Sequence, residues 1–247
     1  MMHPIKALLI ITALTMGSAR GLWAQDQPPI HFMNENTLAF VLFDLLETVP
    51  TQKGRPLQWD MDAWIGKMYN RLWIRGDGKL LTGQRGGDVA LQALYSRVIA
   101  PYWDLQFGVR FDVAYGEETR TRAHLALGLE GLAPYWFELE PTLFVSQQGE
   151  ISASLTASHD LWLTQRLILQ PRLEALAAMQ EVPEWGIGRG LNRVDFGLRL
   201  RFEIVREFAP YIGFNWSRHY GGAADLARAE GEATRTSRFV AGVRLWY

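Results

Sequence analysis

Phe239-Val-Ala241-Gly-Val243-Arg-Leu245-Trp-Tyr247 closes the chain, with an apolar side chain at every odd position and an aromatic residue last. Successive side chains of a β-strand point to opposite faces, so Phe239, Ala241, Val243, Leu245 and Tyr247 share one apolar face while Gly242 and Arg244 take the other. Such a strand expects lipid on one side. A soluble sandwich could end on the same pattern, so the rest of the chain must decide.

The interior repeats the alternation. Trp103, Leu105, Phe107, Val109, Phe111 and Val113 interleave with Asp104, Gln106, Gly108, Arg110 and Asp112. A helix carrying this order would scatter charge around its whole circumference, so the period is two. Val194, Phe196, Leu198, Leu200, Phe202 and Ile204 alternate likewise with Asp195, Gly197, Arg199, Arg201 and Glu203. Shorter examples are 123–130, 151–158 and 166–174. The polar faces are rich in Arg, Asp and Glu, and Lys disappears after Lys79. Arginine forms bidentate pairs with carboxylates, which suits a crowded and partly desolvated lumen better than bulk water. The fold class read from this is all-β: a transmembrane antiparallel barrel with apolar residues toward lipid and an ion-paired interior.

Strands are expected near 37–47, 57–66, 70–76, 88–98, 103–115, 122–131, 135–146, 150–160, 166–176, 193–204, 208–218 and 236–247. That gives 12 strands in up-and-down order, the first being the least regular in its pattern. Connections after even-numbered strands are short and those after odd-numbered strands mostly longer, including 177–192 and 219–235, so both termini are expected in the periplasm. Ala100-Pro-Tyr102, Ala133-Pro-Tyr135 and Ala209-Pro-Tyr211 are read as three turns that set tyrosine at the membrane interface, with Trp103 and Trp136 nearby.

At the other end, Lys6 precedes an apolar stretch from Ala7 to Met16, followed by small residues at Gly17-Ser-Ala19 and Ala24. This reads as a secretory signal peptide over 1–24, too short to cross a bilayer as a helix. Removing Lys6 and Arg20 with it leaves 23 basic and 26 acidic residues. A short periplasmic segment, 25–36, then precedes a barrel domain over 37–247. The chain has no cysteine, so disulfides contribute nothing to its stability. A mean hydropathy of −0.07 with 12% aromatics fits interleaved strands rather than helical spans. Without a basic stripe or net positive charge, nucleic acid is not an expected partner. The expected location is the outer membrane of a Gram-negative cell, with its lipid as the surrounding solvent.

Several blocks together resemble the copper resistance protein B family of outer-membrane barrels. They include Trp64-Ile-Gly66, Arg71-Leu-Trp73, Leu94-Tyr-Ser-Arg97, Trp103-Asp-Leu-Gln106, Gly131-Leu-Ala-Pro-Tyr-Trp-Phe137, Leu163 to Pro171, Gly197 to Arg201, Arg206 to Tyr211 and Val240 to Arg244. The likeness runs from about Asn34 to Tyr247. It implies a twelve-stranded barrel that binds or passes copper ions, alongside periplasmic copper-handling proteins. Members often carry a long Met/His-rich N-terminal segment suited to Cu(I) and Cu(II). Here residues 25–37 offer only His31 and Met33, and Lys67-Met68 stands where a Gly-Asp pair is usual.

The candidate copper-binding residues are therefore His31, Met33, Met68 and His124. His31 and Met33, two apart, could share an ion at the periplasmic mouth with Met68 nearby; the plainer account is a linker with unrelated residues. His124 is expected in the lumen beside Glu130, where a hydrogen-bonded role competes with ligation. Met61 belongs with Trp59 and Ala63 on the lipid side, and His219 should open an exposed loop. Ser158-His159-Asp160 looks hydrolytic, but neighbours in a strand face opposite ways and cannot form a nucleophile–base bond. Glu138 and Glu140 share the lumen face and could do acid–base work. With Arg97, Arg110, Arg166, Arg172, Arg199 and Arg201 expected around them, ion pairing is the stronger reading. Gly186-Ile-Gly-Arg-Gly190 lacks the strand-to-helix setting of a phosphate loop. No enzymatic activity is expected. The reading opposed to copper passage is a small passive or structural barrel whose lumen is plugged by arginine–carboxylate pairs.

Overall fold

In the computed structural model the described residues are 36–49, 56–80, 86–116 and 119–247. The signal peptide expected over 1–24, His31 and Met33 lie outside them. Twelve long strands run through the described residues: β1 (Leu38–Thr48), β2 (Leu57–Gly66), β3 (Asn70–Leu80), β4 (Gly87–Ala100), β5 (Trp103–Tyr115), β6 (Arg120–Ala133), β7 (Phe137–Ser146), β8 (Ile151–Ser158), β9 (Leu167–Ala178), β10 (Gly190–Phe202), β11 (Phe208–His219) and β12 (Arg235–Trp246). A two-residue stretch, Leu161–Trp162, continues the β8 edge along β9. One helix, α1 (Gly221–Ala229), sits in the connection between β11 and β12.

Every strand pairs antiparallel with its sequence neighbour, and β1 pairs with β12 from Leu42↔Trp246 to Thr48↔Ala241. The sheet is thus closed. Closure is what a lipid-exposed sheet needs, because an open edge in hydrocarbon leaves backbone N–H and C=O groups without partners. The terminal strand behaves as its alternation predicts. Phe239 is 75% exposed and faces outward, whereas the Arg244 guanidinium reaches inward to Asp44 at 2.8 Å.

The strand bounds follow the sequence pattern except where two local features hide it. In β1, Phe43 and Leu46 pair outward residues on both sides, and Asp44 and Leu45 between them form a bulge. A bulge sets two residues of one strand against one of its partner. Asp44 and the fully buried Leu45 both line the interior for this reason, so the alternation appears broken in the sequence. In β3 the pairing continues four residues beyond Gly76. A Cβ on Gly76 would meet the Trp59 ring at 2.9 Å, and one on Gly78 would meet the Asp88 carbonyl at 2.6 Å. These glycines let the indole lie flat against the outer surface, so they extend the strand rather than ending it.

One of the three Ala-Pro-Tyr turns is corrected. Tyr102 and Tyr135 do occupy short turns with left-handed φ of 67° and project outward, 67% and 84% exposed. Ala209-Pro-Tyr211 instead lies inside β11. Proline is tolerated there because the β10–β11 ladder begins only at Arg201↔Tyr211, so Pro210 has no bond to lose on that side. Tyr211 consequently points into the lumen and is buried.

Two ends of the barrel differ. The short connections 67–69, 101–102 and 134–136 gather at one end with the C-terminus, here the turn end. The connections 179–189 and 220–234, with α1, belong to the opposite or loop end. Between them the outer surface is apolar, with Leu125 at 66%, Ile212 at 65% and Phe107 at 53% exposure.

Two measurements follow. Folded chain extracted from membranes should migrate differently on unboiled and boiled gels, and recovery as a water-soluble protein would contradict the barrel. Gly78→Val, which drives a side chain into the Asp88 carbonyl and Trp59, should lower stability by about 1–3 kcal/mol in urea titrations of the membrane-inserted barrel.

Candidate functional site: the acid-rich lumen

The inward-facing residues of β1 to β10 and of β12 enclose a cavity of about 580 Å³. Eleven carboxylates line it against six cationic side chains. Asp60 and Asp62 alternate along β2, Arg75, Asp77 and Lys79 along β3, and Glu138 and Glu140 along β7, so the period of two delivers one polar residue per pleat to the interior.

Two arginines organise this charge. Arg75 contacts Asp62 at 3.1 Å, Glu130 at 2.9 Å and Glu140 at 3.2 Å. Arg172 contacts Asp44 at 2.8 Å, Asp60 at 2.7 Å and Glu174 at 2.7 Å. Each guanidinium therefore joins strands that are distant in the sheet: Arg75 of β3 reaches β6 and β7, and Arg172 of β9 reaches β1 and β2. The fork geometry of arginine, with five donors in one plane, spreads its contacts over three carboxylates in fixed directions. Asp77 and Asp88 also line the cavity and make no ion pair among the described residues.

A third cluster is drier. Glu47, 2% exposed, accepts from Arg199 at 3.1 Å, from the Tyr211 hydroxyl at 3.2 Å and from Asn215 at 3.0 Å. At the loop end, Glu150 of the β7–β8 turn is bonded by the Ser146 hydroxyl and by Arg122 at 2.8 Å. The Ser146 bond first, then Arg122, holds its carboxyl below the usual carboxylate range.

An apolar row crosses the charged lining. Cross-strand register runs Phe40↔Trp64, Trp64↔Trp73, Trp73↔Leu94, Leu94↔Gly108, Gly108↔Ala126 and Ala126↔Phe144. Trp73, Leu94, Ala126 and Phe144 are buried against one another, with Trp64 packed on them. Arg71 stacks 5.0 Å above Trp64 and Arg75 5.0 Å above Trp73. The row narrows the lumen with rings rather than charges.

The sequence-derived candidates separate. Met68 is 62% exposed in the β2–β3 turn at the turn end. His124 lies in the lumen near the start of β6, toward the loop end, so the two share no site. His124 does face inward as expected, but its partner is Asp112 at 3.0 Å, while Glu130 is committed to Arg75 and Gln106. Its ring stands edge-on to Phe144. Among the described residues no group of three or more His, Asp or Glu is placed to hold a metal ion. Arg97 is exposed at an outward position and Arg166 lies in the turn after Leu161–Trp162, so neither joins the lumen network. His219 ends β11 half-buried and paired with Arg193 instead of opening a loop. Ser158 donates to Glu138 at 3.0 Å, whereas His159 meets the Trp136 carbonyl at 3.1 Å and stacks on Phe137.

The sequence matches the family described as Copper resistance protein B precursor (CopB) over residues 37–247, which spans all twelve strands. The chain belongs to the copper resistance protein B family. It is 39% identical over 218 residues to Copper resistance protein B of Escherichia coli, covering 88% of this chain and 72% of that one. It is 38% identical over 253 residues to the Copper resistance protein B homolog of Pseudomonas syringae pv. tomato, covering 95% and 85% respectively. Among solved structures, the NanC porin aligns with a TM-score of 0.52 at 10% identity, over 84% of this chain and 99% of that one, a likeness of fold alone. The lumen of this CopB-family barrel presents carboxylates and aromatic rings.

Removing one partner of the driest pair should be costly. Glu47→Ala leaves Arg199 buried without its carboxylate and should cost about 3–5 kcal/mol, read as the urea midpoint of the inserted barrel. Glu47→Leu combined with Arg199→Met should recover most of that loss, and a loss below about 1 kcal/mol in the single variant would show the pair to be solvated.

Proposed function

We propose that this barrel passes copper ions across the outer membrane through its acid-rich lumen, with both termini and the turn end in the periplasm. The single observation that carries the reading is the lining of the 580 Å³ cavity, where eleven carboxylates outnumber six cations. Family membership supplies copper as the relevant cation. An excess of fixed negative charge with low-dielectric walls concentrates cations and excludes anions. Conduction also needs sites that release, so weak successive contacts with carboxylate oxygens serve passage better than a closed metal cage. Asp77 and Asp88, unpaired by arginine among the described residues, are the groups most available to an ion. Met68 at the turn end supplies an exposed thioether, a donor that favours Cu(I). In the same reading His31 and Met33 would add donors at that mouth, and the chain carries out no catalysis.

One observation favours a second reading. Arg75 and Arg172 tie carboxylates of distant strands together, and the ring row from Phe40 to Phe144 lies across the same interior. A lumen filled this way would make a structural barrel with no metal traffic.

Deleting the gene and growing cells with and without excess copper distinguishes the two, with cell-associated copper as the second readout. Passage predicts altered copper tolerance and copper content, restored by the full chain. Asp77→Asn with Asp88→Asn, which keeps every observed ion pair, should slow copper movement about tenfold while leaving the heat-modifiable fold intact. Unchanged tolerance and unchanged copper content would favour the structural barrel.

A further inference from the structure

On the outer surface at the loop end, two arginines stand opposite one another on neighbouring strands. Arg218 of β11 and Arg235 of β12 are direct cross-strand partners, and both are exposed. The parity of their strands puts them outside: Ile212, Phe214, Trp216 and Arg218 share one face of β11, and Phe239, Ser237 and Arg235 continue it on β12. Like charges directly opposite in a sheet repel and cost stability. The lumen arginines Arg75, Arg110, Arg172, Arg199 and Arg244 each meet an acid, yet among the described residues no ion pair joins Arg218 or Arg235 to a carboxylate. Aromatic rings steady them instead, Arg218 5.0 Å from the Tyr220 centroid and Arg235 6.0 Å from that of Trp216. Rings orient a guanidinium and leave its N–H fork free to donate.

We propose that Arg218 and Arg235 form a binding site for the phosphorylated headgroup of lipid A in the outer leaflet. Charge complementarity and position both lead there. The pair stands one step past the Trp216↔Ser237 row, which follows the apolar Phe214↔Phe239 row, so it lies where the lipid-facing belt gives way to headgroups. Two adjacent guanidiniums can grip one phosphate through paired N–H···O bonds, and that anion removes the repulsion between them. Acyl chains of the same lipid would then run down over Phe214, Phe239 and Ile212, which are among the outward apolar residues of these strands. The proposal rests on the reading that the loop end faces the cell exterior.

Purified full-length barrel, folded in detergent, would be titrated with lipid A, with its dephosphorylated form and with phosphatidylglycerol while the unfolding temperature is followed. Lipid A should raise that temperature in the wild type, and half-saturation in Arg218→Gln/Arg235→Gln should need about tenfold more lipid A. Circular dichroism would verify that the variant keeps its strands. Equal half-saturation in wild type and variant would overturn the site, as would equal response to dephosphorylated lipid A or to phosphatidylglycerol. Orientation has its own readout, because the chain has no native cysteine. An impermeant maleimide should label Arg228→Cys, which replaces the exposed partner of Asp225 in α1, on intact cells. Labelling without lipid A discrimination defeats the site and leaves the orientation standing. Labelling only after permeabilisation defeats the orientation and the site with it.

Discussion

The pairing of β1 with β12 is the constraint on which everything else depends. In hydrocarbon each unpaired backbone group costs several kcal/mol, so a strand sheet survives there only as a closed ring. The ring forms when the last strand, ending at Trp246, finds the first across Leu42↔Trp246 and its neighbours. Two contacts join the strands of that seam, the Arg244–Asp44 ion pair at 2.8 Å and the Phe40 and Trp246 rings with centroids 6.0 Å apart. Closure then fixes the two faces of every strand at once, because parity around the ring admits no slip without turning charge toward lipid.

Polarity follows from that geometry. Outward positions are satisfied by Phe, Leu, Ile and Val, and inward positions must be satisfied by one another. Arginine is the residue that makes this feasible, each of Arg75 and Arg172 bonding three carboxylates that would otherwise repel. The carboxylates that line the cavity exceed the cationic side chains, and that excess is the basis of the proposed passage of cations. The row from Phe40 to Phe144 differs, lining part of the interior with apolar surfaces that hold water poorly.

Most of the fold was legible in the sequence, since alternation reports parity wherever pairing is regular. It failed where the backbone departs from the pleat. The bulge at Asp44-Leu45 hides the first strand's inward acids, although Asp44 and Glu47, at odd spacing within one apolar stretch, are the trace of it. Gly76 and Gly78 read as a strand end because glycine is ordinarily a breaker, while here they make room for Trp59. The charged lumen was partly legible: Arg110, Arg172, Arg199 and Arg201 face inward as their parity requires. Arg97 does not, since its inward neighbour is Ser96. Trp64 and Trp73 went unread because an indole in a membrane strand suggests lipid, and only pairing shows both rings pointing inward. Which carboxylate meets which arginine depends on ring closure, and so no local pattern encodes it.

Copper flux through the isolated barrel tests the central claim most directly. Purified chain reconstituted in liposomes that enclose a copper-sensitive dye would be mixed with copper salts, and entry compared with empty liposomes and with an anion such as sulfate. Protein-dependent copper entry well above both controls is the predicted result. Copper entry no faster than into empty liposomes, from barrels whose heat-modifiable migration proves them folded, would contradict it.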